Sequence, residues 1–319
     1  MKKITIVIFV LSPILFFGQA KKIYRQALRT TILKEKIELL NQVIELEPNN
    51  LDAYFHRGLA KNDLGDYHGA IVDYSKIIVE EPDADTYFNR GNSRYNLEDF
   101  TGAKSDYARA VNLDKSFIDA RYSLACAKYD LGDYAEAIKD FNAVIKVIPD
   151  LQIAYTLRAS AYAALEDYKK ALKDYSTAIL VTPNADAFLN RGLFYLDINY
   201  YQKANADFNI VIRLDKQNAF GYFYRGNTFL FLGKYNDAVI DFNNALKFDS
   251  LDFDALLGLS IAYYKLGDLG KAKSYFKKAQ TILKNESSVE KPIEQFATSY
   301  WYLKQIMFFK SVFYDLNKL

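Results

Sequence analysis

Between residues 51 and 83, Tyr54, Gly58 and the aliphatic stem of Lys61 fall on one stripe at helical spacing, and Ala70, Tyr74 and Ile77 fall on a second. Apolar positions separated by three and four residues mark a helix with one buried face. The stretch therefore predicts two amphipathic helices packed face to face. Between them stands LGDY at 64–67, which returns at 131–134, with LGKY at 232–235 and LGDL at 266–269. Glycine supplies the left-handed residue that ends a first helix, and the following Asp or a neighbouring polar residue caps the second.

The pattern repeats along the chain. YFHRGLA at 54–60 has near-copies in YFNRGNS at 87–93, FLNRGLF at 188–194 and YFYRGNT at 222–228. Gly58, Gly91, Gly192 and Gly226 share a position with Ala125 and Ala159, in steps of 33, 34, 34, 33 and 34. Twelve residues after each lies an alanine (Ala70, Ala103, Ala137, Ala171, Ala204, Ala238), and four further an aromatic (Tyr74, Tyr107, Phe141, Tyr175, Phe208, Phe242). A seventh unit keeps Ala272, Phe276 and Ala279, with Ser260 in the glycine's place, and Pro82, Pro149 and Pro183 close three of the units. An Arg-Gly loop that cradles phosphate needs its glycine at a strand-to-helix junction. These glycines sit inside helices, where they let two backbones approach.

Small, small, aromatic and small residues followed by proline resemble the tetratricopeptide repeat. The resemblance runs from 51 to 286 in seven units: 51–83, 84–117, 118–151, 152–184, 185–218, 219–252 and 253–286. Lys115, Lys216, Ser250 and Lys284 depart from it by replacing the closing proline. The resemblance implies an all-α fold, a right-handed superhelical solenoid of antiparallel helix pairs with N- and C-terminal capping helices. It also implies a concave face lined by first helices, at positions that carry Phe55, His56, Leu59, Asn89, Asn92, Asn96, Tyr122, Cys126, Tyr129 and Asp130, then Asn190, Leu193, Phe223, Tyr224, Asn227 and Phe231. Asn89, Asn92 and Asn96 share one helical face. Amides among aromatics suit an extended peptide, whose backbone both donates and accepts. Family members that clamp a C-terminal carboxylate place Lys and Arg on these faces, whereas here Asp63, Asp130 and Asp197 tilt the groove acidic.

Two columns of opposite charge accompany the repeats. Arg57, Arg90, Arg158, Arg191 and Arg225 precede the glycine position, and Asp73, Asp106, Asp140, Asp174, Asp207 and Asp241 precede the aromatic. The expected reading is a structural pair between helices, with ligand binding as the alternative. Unit three has Leu124 yet keeps Asp140, so the pairing is not strict.

The flanks differ from the array. Lys2 and Lys3, an apolar run from Ile4 to Phe17 broken by Pro13, and Gly18-Gln19-Ala20 read as a signal peptide over 1–20, cleaved on export, with an uncleaved anchor as the alternative. The run is shorter than the ~20 residues a spanning helix needs, and no Cys follows it to carry lipid. Residues 21–50 read as a degenerate N-terminal helical cap, and 287–319 as an aromatic-rich capping helix from about Pro292 to Asn317. Its stripe of Ile293, Phe296, Ala297, Tyr300, Leu303 and Met307 is expected to cover the edge of unit seven. Trp301, Phe308, Phe309 and Phe313 leave surplus aromatic surface on the other side, which could dock a partner or a second copy.

Composition narrows the function. The 319 residues are half apolar with a formal charge of +2, so no field selects nucleic acid. Cys126 is the only cysteine, which excludes a disulfide framework. His56 and His68 stand on different elements without metal-ligand spacing, and no carboxylate pair is isolated for acid/base work. Neither cofactor nor metal is expected. The sequence predicts a non-catalytic, exported scaffold, periplasmic or secreted, that binds a protein or peptide. Its alternatives are a self-associating envelope component and a regulatory module for an exported enzyme.

Overall fold

The computed structural model describes residues 18–283 and 292–319, and these are helical without a strand. The first seventeen residues of the expected signal peptide, and the stretch with Lys284, lie outside the described residues. Helix α1 covers 18–29 and α2 covers Leu33–Leu46. Seven pairs follow: α3 Leu51–Asp63 with α4 Tyr67–Glu80, α5 Ala84–Asn96 with α6 Phe100–Leu113, α7 Ile118–Asp130 with α8 Tyr134–Val147, α9 Gln152–Ala164 with α10 Tyr168–Val181, α11 Ala185–Asp197 with α12 Tyr201–Leu214, α13 Ala219–Phe231 with α14 Tyr235–Ala245, and α15 Phe253–Lys265 with α16 Leu269–Leu283. Every first helix has 13 residues, so a given register position falls on the same face in each pair. The chain divides into two compact units, one ending at Ala171 and one beginning at Leu172, within α10.

Local chemistry sets each pair. The residue ending the first helix is left-handed in all seven: Gly65, Gly132, Gly233 and Gly267 at φ of 83°, 79°, 71° and 81°, and Glu98, Glu166 and Asn199 at 60°, 60° and 62°. The turn is therefore the same where glycine is missing. In pairs two, four and five it costs roughly 1 kcal/mol of strain per non-glycine residue. Asp66 and Asp99 then accept from the backbone N–H of Gly69 and Gly102, capping α4 and α6. Where the two helices cross, a Cβ on Gly91 would stand 2.7 Å from the Tyr107 ring, and one on Gly192 would stand 2.6 Å from Phe208. In these two pairs the bare backbone makes room for the ring, which an added Cβ would have to displace.

The first unit buries Tyr74, Tyr107 and Phe141 together with the small residues that face them, Ala70, Ala103, Ala125 and Ala137. In the second unit Phe208, Phe242 and Phe276 do the same, and the core continues into the C-terminal segment.

That segment corrects the sequence expectation. It is not one helix but a 3₁₀ turn Pro292–Phe296, a short helix α17 Tyr300–Lys304 and a helix α18 Ile306–Leu316. Ser299 starts α17 afresh by accepting from Tyr302 N–H at 3.0 Å. Gln305, at φ −130° and ψ 34°, interrupts the ladder before α18. Each break rotates the next face, so Leu303 and Met307 of the expected stripe are 65% and 80% exposed. Trp301, Phe309 and Phe313, expected on the opposite side, are buried.

Candidate functional site

The charge columns are built into the pairs. Arg57, Arg90, Arg191 and Arg225 each grip the Asp sixteen residues on with two N–H groups, at 2.6 to 2.9 Å. The outer guanidinium nitrogen reaches back to the preceding pair, from Arg57 to Asn41, Arg90 to Ser75, Arg191 to Ser176 and Arg225 to Asn209. Each arginine thus ties three helices. Its plane also lies over a ring one turn earlier, Tyr54, Tyr87, Phe188 or Tyr222. In unit three Leu124 removes the arginine, and Asp140 takes Arg121 at 3.1 Å and Lys128 at 2.7 Å instead. Lys61 and Arg94, in the register of Lys128, add a second cation to Asp73 and Asp106 at 2.9 Å. These aspartates are all buried and their donors are committed, so the columns hold the fold together rather than a ligand.

In the first unit the first-helix face carries a depression of about 480 Å³ lined by Asn62, Asn92, Tyr95, Asn96, Tyr107, Tyr122, Ser123 and Cys126. Asn92, Asn96, Tyr122 and Cys126 of the sequence-predicted set meet here. Tyr107 donates its hydroxyl to Asn92 Oδ1 at 2.9 Å, and Ser93 donates to Asn62 Oδ1 at 2.9 Å. Tyr95 donates to Asp130. Asn96 and Asn89 spend their NH₂ groups on the carbonyls of Asn92 and Asp85, at 3.0 and 2.8 Å, so each presents its carbonyl oxygen as the outward group. Burial raises the Tyr95, Tyr107 and Tyr122 phenols well above their ordinary range and pushes the Cys126 thiol up to about 11. All four remain neutral at physiological pH. The thiol is accordingly no nucleophile, and the depression offers uncharged donors and acceptors with the Asp130 carboxylate at its edge.

The other predicted residues of this unit stand apart. Phe55 lines a separate depression of about 500 Å³ together with Leu51, Asp52, Ile77, Glu81, Pro82, Asp83, Asp85 and Thr86. Tyr129 packs edge-on against Tyr134 with ring centres 5.4 Å apart. His56 lies between the Tyr24 and Phe55 rings, and burial lowers its pKa, which leaves it neutral. Among the described residues, no three His, Cys, Asp or Glu side chains converge to hold a metal.

In the second unit Asn190 donates to Asp186 O on its own helix at 2.9 Å, as Asn89 does to Asp85 O. The sequence reading needs correction at Phe223 and Asn227. Phe223 and Asn227, expected on an open face, are 6% and 0% exposed. The C-terminal segment lies across them. Tyr300 and Trp301 meet Phe223 at 5.4 and 6.4 Å between ring centres, Tyr300 meets Tyr224 at 5.8 Å, and Phe308 meets Phe231 at 5.0 Å. Asp254, in the first turn of α15, accepts Tyr300 N–H with both carboxylate oxygens at 2.9 and 3.1 Å, and its carbonyl accepts Trp301 Nε1–H at 2.9 Å. Both polar atoms of the Asn227 amide are buried without a partner.

Sequence reasoning missed Asn62, Tyr95, Tyr107 and Ser123 in the depression and the covering role of Tyr300, Trp301 and Phe308. Register links two of the missed residues, since Asn62 and Tyr95 each stand four residues past the glycine position. Tyr107 was assigned wholly to the core, and its hydroxyl joins the depression through Asn92.

Profiles of the tetratricopeptide repeat match residues 52–84, and 88–151, 122–178, 156–219 and 225–286. Among solved structures, a tetratricopeptide repeat protein from Parabacteroides merdae ATCC 43184 is similar over 77% of this chain and 99% of its own, at 18% identity and a TM-score of 0.60. Yeast Tom70 is similar over 89% of this chain and 59% of its own, at 16% identity and a TM-score of 0.56. A chain of the APC/C hetero-tetramer Cut9-Hcn1 is similar over 85% of this chain and 53% of its own, at 16% identity and a TM-score of 0.54. The chain thus spans about half the length of that Cut9-Hcn1 chain. At these identities the shared feature is the fold. No curated protein matches the chain.

Proposed function

Because the chain belongs to the tetratricopeptide repeat family, with repeat matches over most of its length, we propose that it is a non-catalytic interaction scaffold that binds an extended segment of a protein partner on the first-helix face of its first unit. The observation that carries this reading is the depression at Asn62, Asn92, Asn96 and Tyr122, where neutral amide and phenol groups from three successive pairs converge. An extended backbone offers alternating N–H and C=O groups, and such a surface answers both. The depression has no Lys or Arg in its lining, which favours a polypeptide over a nucleic acid. The leader-like 1–20 supports an exported, envelope location, to be checked by fractionation of cells that produce the full chain.

A photocrosslinking residue at exposed Asn96, in the full chain, should capture a polypeptide in its native envelope. The same residue at Val79, exposed on a second helix, should not. Equal capture at the two positions, or capture at Val79 alone, would overturn the reading. A second reading, self-association, rests on the exposed Leu303, Met307 and Tyr314 of the C-terminal segment. It predicts a concentration-dependent mass in light scattering, which Met307→Glu would abolish.

A further inference from the structure

The C-terminal segment has two kinds of contact. At its ends it is anchored on the last pair: Phe296 stacks on Phe276 of α16 at 5.6 Å, Phe313 meets both Phe276 and Phe296, at 6.0 and 5.8 Å, and Asp315 accepts from the Tyr264 hydroxyl of α15 at 2.7 Å. Between those anchors, Ser299 to Phe308 leaves α16 and crosses the first helices α13 and α15. There it makes the aromatic contacts to Phe223, Tyr224 and Phe231 and the hydrogen bonds to Asp254. The register of Asn227 is that of Asn92, which lines the depression of the first unit. Phe223, Asn227 and Phe231 follow i, i+4, i+8 on one face of α13. The covered surface is therefore the same face that stands open in the first unit, with its own chain laid over it.

Asn227 shows how imperfect that cover is. Its amide is fully enclosed, yet neither Oδ1 nor Nδ2 has a partner. A buried amide without hydrogen bonds is destabilising. A segment placed there as a permanent part of the core has no use for it, whereas a peptide running past it would fill one donor and one acceptor.

We infer that the first-helix face of α13 and α15 is a second peptide site, held in the resting chain by residues 299–308, and that it takes from a partner a short helical segment that opens on two adjacent aromatic residues. The resident stretch displays that chemistry. Tyr300 and Trp301 fill the aromatic slot, Tyr300 N–H is received by the Asp254 carboxylate, and Phe308 closes the far end on Phe231. A partner segment that offers the same aromatic pair and also satisfies the Asn227 amide competes with it, while the Phe296 and Phe313 anchors stay in place. The site lies wholly in the second unit, and the inference stands or falls separately from the proposal for the first.

The test uses the full chain and a labelled synthetic peptide with the sequence of residues 298–310, followed by fluorescence anisotropy. Phe308→Ala, which releases the far end of the resident stretch, should bind the peptide at least tenfold more tightly than the unaltered chain. A peptide with Tyr300 and Trp301 replaced by alanine should not bind, and Val79→Ala, exposed on a second helix of the first unit, should change nothing. Equal affinity for Phe308→Ala and the unaltered chain would overturn the inference. Native-state hydrogen exchange gives a second reading. The Tyr300 amide should exchange at least tenfold faster than the Leu257 amide inside α15, because the stretch opens without the pair beneath it. Exchange of both amides at one common rate would mean that residues 299–308 are permanent core, and would also overturn the inference. Asn227→Leu should raise the melting midpoint of the full chain. A fall would show that the amide serves the fold and not a ligand.

Discussion

Truncating the arginine column should not cost the same in every pair, and the structure says where it costs most. Arg90 and Arg191 occupy equivalent positions, each with two bonds to a buried aspartate and a third to a serine of the preceding pair. Asp106 keeps a second cation, Arg94, at 2.9 Å, whereas the residue in that register beside Asp207 is Tyr195. Arg90→Ala therefore leaves a carboxylate that is still neutralised. It should cost about 1 to 3 kcal/mol, for lost hydrogen bonds and lost ring contact. Arg191→Ala strands Asp207 at 3% exposure without a counter-charge and should cost about 3 to 5 kcal/mol. Because repeat arrays need not unfold in one step, the assay is urea denaturation by circular dichroism together with hydrogen exchange resolved by helix. The Arg191 variant should lose protection first in α11 and α12. Adding Asp207→Asn should restore part of the loss, since an amide is far less costly to bury unpaired. If Arg90→Ala proved as damaging as Arg191→Ala, the role given to Arg94 would be wrong. If neither variant moved the denaturation midpoint, the column would not be structural at all.

Other substitutions probe the remaining contacts. Ala137→Leu should overpack the contact between α7 and α8, where Ala137 is wholly buried, and cost about 1 to 3 kcal/mol in the denaturation midpoint. Gly192→Ala should destabilise the fifth pair by a similar amount although alanine favours helix, because its Cβ would lie 2.6 Å from the Phe208 ring. Burial raises the Asp254 carboxyl from 3.8 to about 7, with Asp252 adding to the effect and the N–H groups of Tyr300 and Trp301 opposing it. A carboxyl with its folded pKa raised binds its proton more tightly when folded. Its contribution is thus fully present below pH ~4 and is lost as pH rises through about 7. At ~1.4 kcal/mol per pH unit, the second unit should lose about 2 to 4 kcal/mol relative to Asp254→Asn between those limits, measured as the difference of two pH–stability curves. A difference that did not change with pH would contradict the burial of Asp254 under Tyr300.

Much of this was legible in the sequence because repetition samples each position several times. The glycine, alanine and aromatic columns carry the helix crossing. The Arg and Asp columns carry a pair that the structure shows with bidentate geometry. Repetition also hides what is not repeated. Asp140 replaces its partner with Arg121 and Lys128 from one turn either side, a substitution visible only once α7 and α8 face each other. The C-terminal segment has no second copy to be compared with. Aromatic residues surround it on all sides, so helical spacing alone admits more than one stripe. Its true faces were decided by Ser299 as a cap and by the break at Gln305, both ordinary polar residues in the sequence. The depression was half legible for a related reason. Asn92, Asn96 and Tyr122 belong to first helices, but Tyr107 rises from a second helix.

The proposal that the first unit binds a polypeptide at this depression is tested most directly by the affinity of the segment captured at Asn96 for the full chain and for an Asn96→Ala, Tyr122→Phe double variant. Both changes remove polar groups that line the depression and leave the buried columns and the helix crossings untouched. Isothermal titration should show affinity reduced at least tenfold at an unchanged melting midpoint, as two lost hydrogen bonds of about 1 kcal/mol each require. Undiminished affinity in the double variant would contradict the assignment of this face as the binding site.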